Sequence, residues 1–150
     1  DRTITLPDAT GTLLNSDGDG SSLTNTSGKS AYLEATFDVS TASGTLALTG
    51  AGFTPSMAIC FIGPTSGSAG RIFSLGGGDG AGNEGCVFDR HNEVSTTTLR
   101  NSTASMKYVV SASADHTFDI ASFDSDGLTF NTSKNGSPTG TAFIGVFCFG

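Results

Sequence analysis

The sequence predicts an all-β fold: a jelly-roll-like β-sandwich preceded by a short extended β stalk segment. Three observations indicate this. Of the 150 residues, 21 are glycine, which suits a chain with many tight turns. Only 14% of the residues are charged, against about a quarter in an average globular domain. Apolar and polar residues alternate in short segments, and no window sustains the i, i+3, i+4, i+7 spacing of an amphipathic helix.

The first element is a small β-turn-β unit. Thr3 to Leu6 alternate polar and apolar residues, Pro7 to Gly11 carry turn chemistry, and Thr12 to Leu14 resume a strand. A two-stranded unit is marginal by itself in water, so we expect this one to pack on copies of itself around a symmetry axis. An ordinary terminal hairpin that packs on its own domain is the alternative. The residues expected to make this stalk packing are Ile4, Leu6, Leu13 and Leu14.

A polar segment, Asn15 to Ser30, follows and is predicted to be a linker. The boundary is placed near Gly28, so that residues 1–27 form the extended stalk and linker and residues 28–150 form a C-terminal β-sandwich domain. The chain begins with Asp1 rather than methionine, and we therefore expect it to be a processed or cut-out piece.

The rest of the chain contains ten short segments with strand character, separated by turn residues. They are Tyr32–Val39, Thr45–Thr49, Met57–Ile62, Arg71–Leu75, Cys86–Asp89, Val94–Leu99, Lys107–Ser111, Thr117–Phe123, Leu128–Asn131 and Phe143–Phe149. The segment Met57–Ile62 is almost wholly apolar, which predicts a central strand that is covered on both faces. The last strand is the most apolar, and we expect it in the middle of a sheet or buried between subunits.

Individual core residues are also predicted. Phe53 is expected to insert into the core from a turn-rich connection. One face of the first sandwich strand is expected to be buried through Leu33, Ala35, Phe37 and Val39. An inner face is expected from Phe118, Ile120, Leu128, Phe130, Phe143 and Phe147.

Charge and cysteine content limit the partners and the compartment. Fourteen acidic residues against seven basic ones give a net charge of −7, which argues against nucleic acid and anionic membranes as partners. The longest apolar run is far short of the ~20 residues of a membrane-spanning helix. The three cysteines, Cys60, Cys86 and Cys148, form no C-x-x-C pair. We expect buried free thiols and assembly in a reducing cytoplasm, with one disulfide as the alternative.

Two glycine- or aspartate-containing motifs are matched only in part. Gly80 to Gly85 fits G-x-G-x-x-G, but Cys86 to Leu99 is strand-like, whereas a nucleotide site needs a helix there. We therefore predict that Gly76 to Gly85 is a glycine-rich surface loop. The calcium-loop spacing of Asn15, Asp17, Asp19 and Gly20 continues to Thr26 instead of a bidentate glutamate. A solvated linker is favoured over an ion site.

Catalytic arrangements are equally incomplete, and we predict no catalytic residue, metal or cofactor. Asp124 and Asp126 are interpreted as hairpin-turn residues rather than a metal pair. His116 lies between Asp115 and Asp119, but no G-x-S-x-G nucleophile elbow is present. Carboxylates for glycoside cleavage would have to come from Glu34, Glu84, Glu93 and the aspartates, several of which lie beside predicted turns, where a structural role is expected.

The most polar segment of the domain, Asp89 to Glu93, lies close in sequence to the glycine-rich loop. It is interpreted either as part of a recognition tip or as a solvated hairpin end, since binding residues often lie on loops of a rigid scaffold. The candidate receptor-contact residues are Asp79, Asn83, Glu84, Arg90, His91 and Asn92.

Two parts of the sequence resemble tail-fibre and appendage proteins of tailed bacteriophages. The segment TITLPDATGTLL, Thr3 to Leu14, is similar to the T-I/Y-T-L-P-D-A-T/S-G-T-L segment of such fibres. GFTPSMAICFIG, SFDSDGLTFN and the final apolar strand are similar to the C-terminal β-domain of phage fibre and virion-surface proteins. The middle, Thr65 to Ser105, departs from that pattern, which leaves the binding target open.

The resemblance implies a structural virion protein: a fibre domain on the virion surface that trimerises and mediates attachment to the host cell. It implies a homotrimer, other virion proteins and a host surface glycan or protein as partners. A capsid decoration or head-fibre protein remains an alternative. An enzyme that depolymerises surface glycans is a weaker one, because the sequence lacks a tight acid/base motif.

Overall fold

The computed structural model describes residues 28–66, 71–92 and 95–150. The predicted stalk, with Ile4, Leu6, Leu13 and Leu14, and the partial calcium loop lie outside the described residues. Ten strands and no helix occur in the described part of the chain. Their bounds are β1 Ser30–Asp38, β2 Gly44–Thr49, β3 Met57–Pro64, β4 Arg71–Gly78, β5 Glu84–Asn92, β6 Ser95–Asn101, β7 Met106–Ser111, β8 Ala114–Asp124, β9 Gly127–Asn135 and β10 Thr141–Phe149.

The strands form two antiparallel sheets, which confirms the predicted all-β sandwich. The larger sheet has the order β1-β10-β3-β4-β5-β6, and the smaller has the order β2-β9-β8-β7. The first strands pair with the last, β1 with β10 and β2 with β9, as in a jelly roll. Between them the chain runs as two meanders, β3 to β6 and β7 to β9. Of the two predicted positions for the apolar last strand, the structure shows the interior of a sheet: β10 pairs with β1 and β3, so the backbone groups on both of its edges are hydrogen-bonded.

The core lies between the two sheets. Leu33 and Phe37 of β1 face inward, and Phe53 is buried at the turn-rich connection, both as predicted. From the smaller sheet, Phe118, Leu128 and Phe130 pack against them. All three cysteines are buried free thiols, and burial raises the pKa of the Cys60 thiol strongly.

The strand β7 has both faces covered. On one face Met106 and Tyr108 belong to the main core. On the other, Val109 packs with Cys86 and Phe88 of β5 in a second, smaller cluster. The larger sheet therefore curls around the edge of the smaller one at β5, and this curvature creates the cleft described below.

The larger sheet corrects two predictions about the core. The prediction that Met57–Ile62 is covered on both faces is wrong, because Met57 and Ile59 are 45% and 42% exposed. The prediction that Phe143 and Phe147 line the inner face is also wrong, since Ala142, Ile144, Val146 and Cys148 occupy that face instead. Side chains alternate across a strand, so both phenylalanines point away from the smaller sheet.

The predicted glycine-rich loop is also shorter than expected. Gly76, Gly77 and Gly78 continue β4 and pair with Cys86, Gly85 and Glu84 of β5. Composition suggested a loop, but a ladder is made by backbone N–H and C=O groups, which glycine possesses. The turn itself spans only residues 79–83, and a strand rather than a helix follows it.

Candidate functional site

The turn between β4 and β5 is held by two of the predicted contact residues. Asp79 Oδ1 accepts hydrogen bonds from the N–H groups of Ala81 at 2.9 Å and Asn83 at 3.3 Å. Asn83 Nδ2 donates to Asp79 Oδ2 at 2.8 Å. The Asn83 side chain, followed by backbone donors, lowers the pKa of the Asp79 carboxyl. Both side chains are exposed, but their polar groups are used to shape the turn.

Glu84, the third candidate, points into the protein. Its Oε2 accepts a hydrogen bond from Ser105 Oγ at 2.5 Å and another from the Ile120 N–H at 3.0 Å. Because Glu84 begins β5 and Ile120 belongs to β8, these bonds link the two sheets. Its environment indicates a structural role.

The remaining candidates lie at the other end of β5. Arg90, His91 and Asn92 close the strand, about 20 Å from the turn at a rise of about 3.4 Å per residue. The structure therefore does not bring the six candidates together at one tip. The strand continues through residues 89–92 because they pair with β6, Asn92 with Ser95 at the end.

Arg90 instead lines a half-open cleft between the β5–β6 pair and the hairpin of β7 and β8. The cleft has a volume of about 240 Å³. Its wall is formed by Phe88, Arg90, Leu99, Lys107, Val109, Ser111, Ala112 and Asp115. The cleft exists because β6 extends beyond the smaller sheet, which leaves Leu99 on the inner side 52% exposed.

The polar groups of the cleft are held in place. Lys107 Nζ lies 3.3 Å from Asp115 Oδ1 and 5.5 Å from the centre of the Phe88 ring, a cation–π distance. Asp115 Oδ2 also accepts a hydrogen bond from Asn135 Nδ2 at 3.1 Å. Arg90 adds a second cationic group to the same wall. The cleft thus combines an apolar floor with the ion pair of Lys107 and Asp115 and one further cation, Arg90.

Such a cleft suits a small group that has both an apolar face and a negative charge. Apolar pockets with a few oriented polar groups are the usual form of small-ligand sites, and guanidinium groups recognise carboxylates. Among the predicted candidates whose side chains the structure describes, only Arg90 contributes. Lys107 and Asp115 had no sequence signal of their own, because their contact depends on the register of the β7–β8 hairpin.

The histidine considered for hydrolase chemistry belongs to the core. His116 is fully buried, and its Nδ1 lies 3.1 Å from the Val39 carbonyl oxygen. It packs edge-on against Phe37 at 4.9 Å between ring centres. Burial lowers the pKa of the imidazole, so the ring stays neutral at physiological pH.

The aspartates of the β8–β9 hairpin confirm the turn interpretation. Asp126 accepts hydrogen bonds from the N–H groups of Gly50 at 3.1 Å and Gly52 at 2.6 Å. Asp124 accepts from the hydroxyls of Ser122 and Thr129. The described residues contain no group of three or more His, Cys, Asp or Glu side chains placed to hold a metal ion.

Asp119 is the carboxylate in the least favourable environment, and Asp119→Asn is expected to stabilise the protein at neutral pH. Its Oδ1 is buried without a hydrogen-bond partner among the described residues. Burial, and secondarily the charge of Glu84, raises the pKa of Asp119. A raised pKa means that stability is lost as pH rises from about 3.9, the value of a free aspartate, through the folded-state pKa. We expect about 1 kcal/mol of stabilisation at pH 7 and less at pH 3.5, measured by urea unfolding.

The matched control for this prediction is Asp126→Asn. That carboxylate accepts two backbone N–H bonds, so its loss should destabilise the protein by about 1 kcal/mol. Destabilisation of the same size by both variants would contradict the interpretation of Asp119.

Comparison with known proteins finds no match: no family model, no curated protein and no solved structure is significantly similar to the chain. A helix long and apolar enough to cross a membrane is not found in the part of the chain that the structure describes.

Proposed function

We propose that the chain is a structural virion protein, a phage fibre domain that trimerises and mediates attachment to the host cell surface. The resemblance of the Thr3 to Leu14 segment to fibre stalks supports this function. Residues 28–150 supply a rigid two-sheet scaffold of the kind that carries binding sites at its edges. Location on the virion surface after assembly in the bacterial cytoplasm agrees with the buried free thiols.

The observation that carries the proposal is the cleft at Arg90. Its apolar wall of Phe88, Leu99 and Val109 and its cations, Arg90 and Lys107, fit a surface glycan that bears carboxylate groups. A cleft of about 240 Å³ holds one sugar unit rather than a long chain, so each site binds weakly. Three such sites on one stalk would raise the avidity by about 10²- to 10⁴-fold.

Arg90→Gln tests the site. We expect binding of the full chain to an immobilised uronic-acid polysaccharide, polygalacturonate, to weaken about tenfold, because one charge-assisted contact is lost. Binding to neutral dextran should stay undetectable. Surface plasmon resonance measures both, with thermal unfolding as a check on folding.

Lys29→Gln is the charge-matched control, since Lys29 is exposed and precedes β1, away from the cleft. If Arg90→Gln and Lys29→Gln weaken binding equally, the interaction is a general charge effect and the cleft is not the site. If the wild-type chain binds neither polygalacturonate nor surface polysaccharide extracted from bacteria, glycan binding by the cleft is overturned, and a host surface protein becomes the partner to test.

The two alternative functions predict different results. If the chain is a capsid decoration or head-fibre protein, antibodies against it should label the capsid rather than the tail in electron micrographs of virions. A depolymerase would release reducing ends from the polysaccharide.

A further inference from the structure

The larger sheet exposes an extended apolar surface on the side away from the core. We call this side of the larger sheet the outer face. Seven of its large side chains are 42% to 50% accessible and lie on five adjacent strands: Tyr32, Met57, Ile59, Phe73, Leu75, Val87 and Phe147. The register places Tyr32 beside Phe147 and Phe147 beside Ile59. Leu75 lies between Phe61 and Val87. The side chains therefore form one continuous surface.

The corresponding side of the smaller sheet has the opposite character. There the exposed positions of β2 include Thr45 and Thr49, and those of β9 include Asn131 and Ser133. An antiparallel sheet that faces water normally shows such polar residues on its solvent side. The outer face of the larger sheet departs from that rule, although the chain as a whole is acidic and rich in Ser and Thr.

The size of the apolar surface matches a protein interface. Large side chains carry roughly 150–250 Å² each, so these seven, nearly half exposed, present on the order of 500 Å². Monomeric proteins rarely expose a contiguous apolar patch above a few hundred Å². A standard interface buries about 800 Å² per partner, of which about 60% is apolar. The outer face therefore has the apolar area that one such interface needs.

The aromatic side chains of this surface are also pre-arranged. Tyr32 packs on Phe147 at 5.0 Å and stacks with Phe61 at 6.4 Å between ring centres. The ring of Phe61 lies across Gly145, where a Cβ atom would overlap it. The Phe61 ring thus lies over the sheet at Gly145 and packs with the two neighbouring rings, which reduces the conformational entropy lost when a partner covers them.

Two opposite charges lie at the ends of one line of cross-strand neighbours on the outer face. Across the six strands this line consists of Glu34, Gly145, Phe61, Leu75, Val87 and Arg100. Glu34 and Arg100 are both exposed and lie about 24 Å apart, five strand spacings of about 4.8 Å. They cannot pair within one chain, but the acidic end of one copy can meet the basic end of another.

We infer that the outer face is buried against a second copy of this chain, with the Glu34 end of one copy beside the Arg100 end of its neighbour. We infer a copy of the chain as the occupant because the apolar centre of one copy can cover that of another, while the acidic end of one copy lies beside the basic end of the other. The inference rests on the self-association in the proposed function and names the surface that carries it. In a trimer this head-to-tail contact repeats three times around the axis and closes.

Leu75→Lys tests the contact. The side chain is already 42% exposed, so the lysine is tolerated in one copy but loses its hydration in the interface. We expect the full chain to associate in light scattering, and Leu75→Lys to weaken association by about 100-fold or more. Asn131→Lys, which adds the same charge to the polar side of the smaller sheet, should leave association unchanged.

A charge exchange tests the arrangement of the copies. Glu34→Arg alone and Arg100→Glu alone should each weaken association by roughly fivefold, because each places like charges together. The double variant restores opposite charges and should associate like the wild type. Rescue supports contact between copies, since the two positions are too far apart within one chain. Failure of rescue overturns the head-to-tail arrangement.

The outcomes separate this inference from the proposed function. If the wild-type chain is a trimer and Leu75→Lys dissociates it, the result supports both the proposed trimeric fibre and the outer face as its interface. If the wild-type chain is a dimer that Leu75→Lys dissociates, the result supports the outer face as the interface but overturns the trimer. A trimer that Leu75→Lys leaves intact overturns the role of the outer face and leaves the trimeric fibre standing, carried by the predicted stalk residues. A monomeric full chain overturns the self-association in both.

Discussion

Phe118→Ala is expected to lower the free energy of unfolding by about 3–5 kcal/mol, the cost of removing a large aromatic ring from a closed core. Phe118 is fully buried. Its ring lies 5.1 Å from that of Phe37 in the larger sheet and 6.3 Å from that of Phe130 in its own, both edge-to-face. The loss therefore removes contacts that hold the two sheets together as well as buried area.

Urea unfolding of the two variants Phe118→Ala and Phe118→Leu measures this effect. Leucine keeps most of the buried volume and should cost about 1–1.5 kcal/mol. If alanine costs no more than leucine, the site collapses around the smaller side chain, and Phe118 is not the central contact between the sheets.

Gly127→Ala is expected to have the second large effect and to lower the free energy of unfolding by about 3 kcal/mol or more. Gly127 closes the β8–β9 hairpin with a φ of 153°, a conformation that L-residues rarely adopt. A Cβ atom there would overlap the carbonyl oxygen of Leu48 in β2. Because that oxygen belongs to a paired strand, relief requires a shift of the β2–β9 ladder.

Gly82→Ala separates backbone strain from the steric overlap. Gly82 has a φ of 88°, but a Cβ atom there meets nothing within 4 Å, so its cost should be about 1 kcal/mol. Thermal unfolding of both variants gives the comparison. Similar losses for both would show that backbone strain alone explains Gly127 and that β2 adjusts freely.

The alternation of apolar and polar residues along individual strands made much of the fold predictable. In β1 the predicted inward residues include Leu33 and Phe37, and both are buried. The glycine and aspartate of Asp124 to Gly127 predicted the hairpin, and the structure forms it with Asp124 accepting hydrogen bonds from the nearby hydroxyls of Ser122 and Thr129. These features depend on residues close together in the chain, so local geometry is sufficient to predict them.

The candidate site was less predictable, because its parts come from separate strands. Arg90 was identified as a polar residue, but its position in a cleft depends on the curvature of the larger sheet around β7. The cleft partners Lys107 and Asp115 meet only through the hairpin register. A polar segment in a sequence indicates exposure, but not which residues will face it across two sheets.

By itself, the sequence determined the all-β class, most strand positions, the inward residues of β1 and the interior position of β10. Only the tertiary structure decided which side of an apolar strand is covered. Large apolar residues lie on both sides of β3 and of β10. The alternation of side chains therefore separates the two faces of each strand but does not indicate which face packs on the smaller sheet. Packing placed Ile144 and Val146 inside and Phe147 outside. The physical reason is that a sandwich has one interior, and only the pairing of all ten strands defines where it lies.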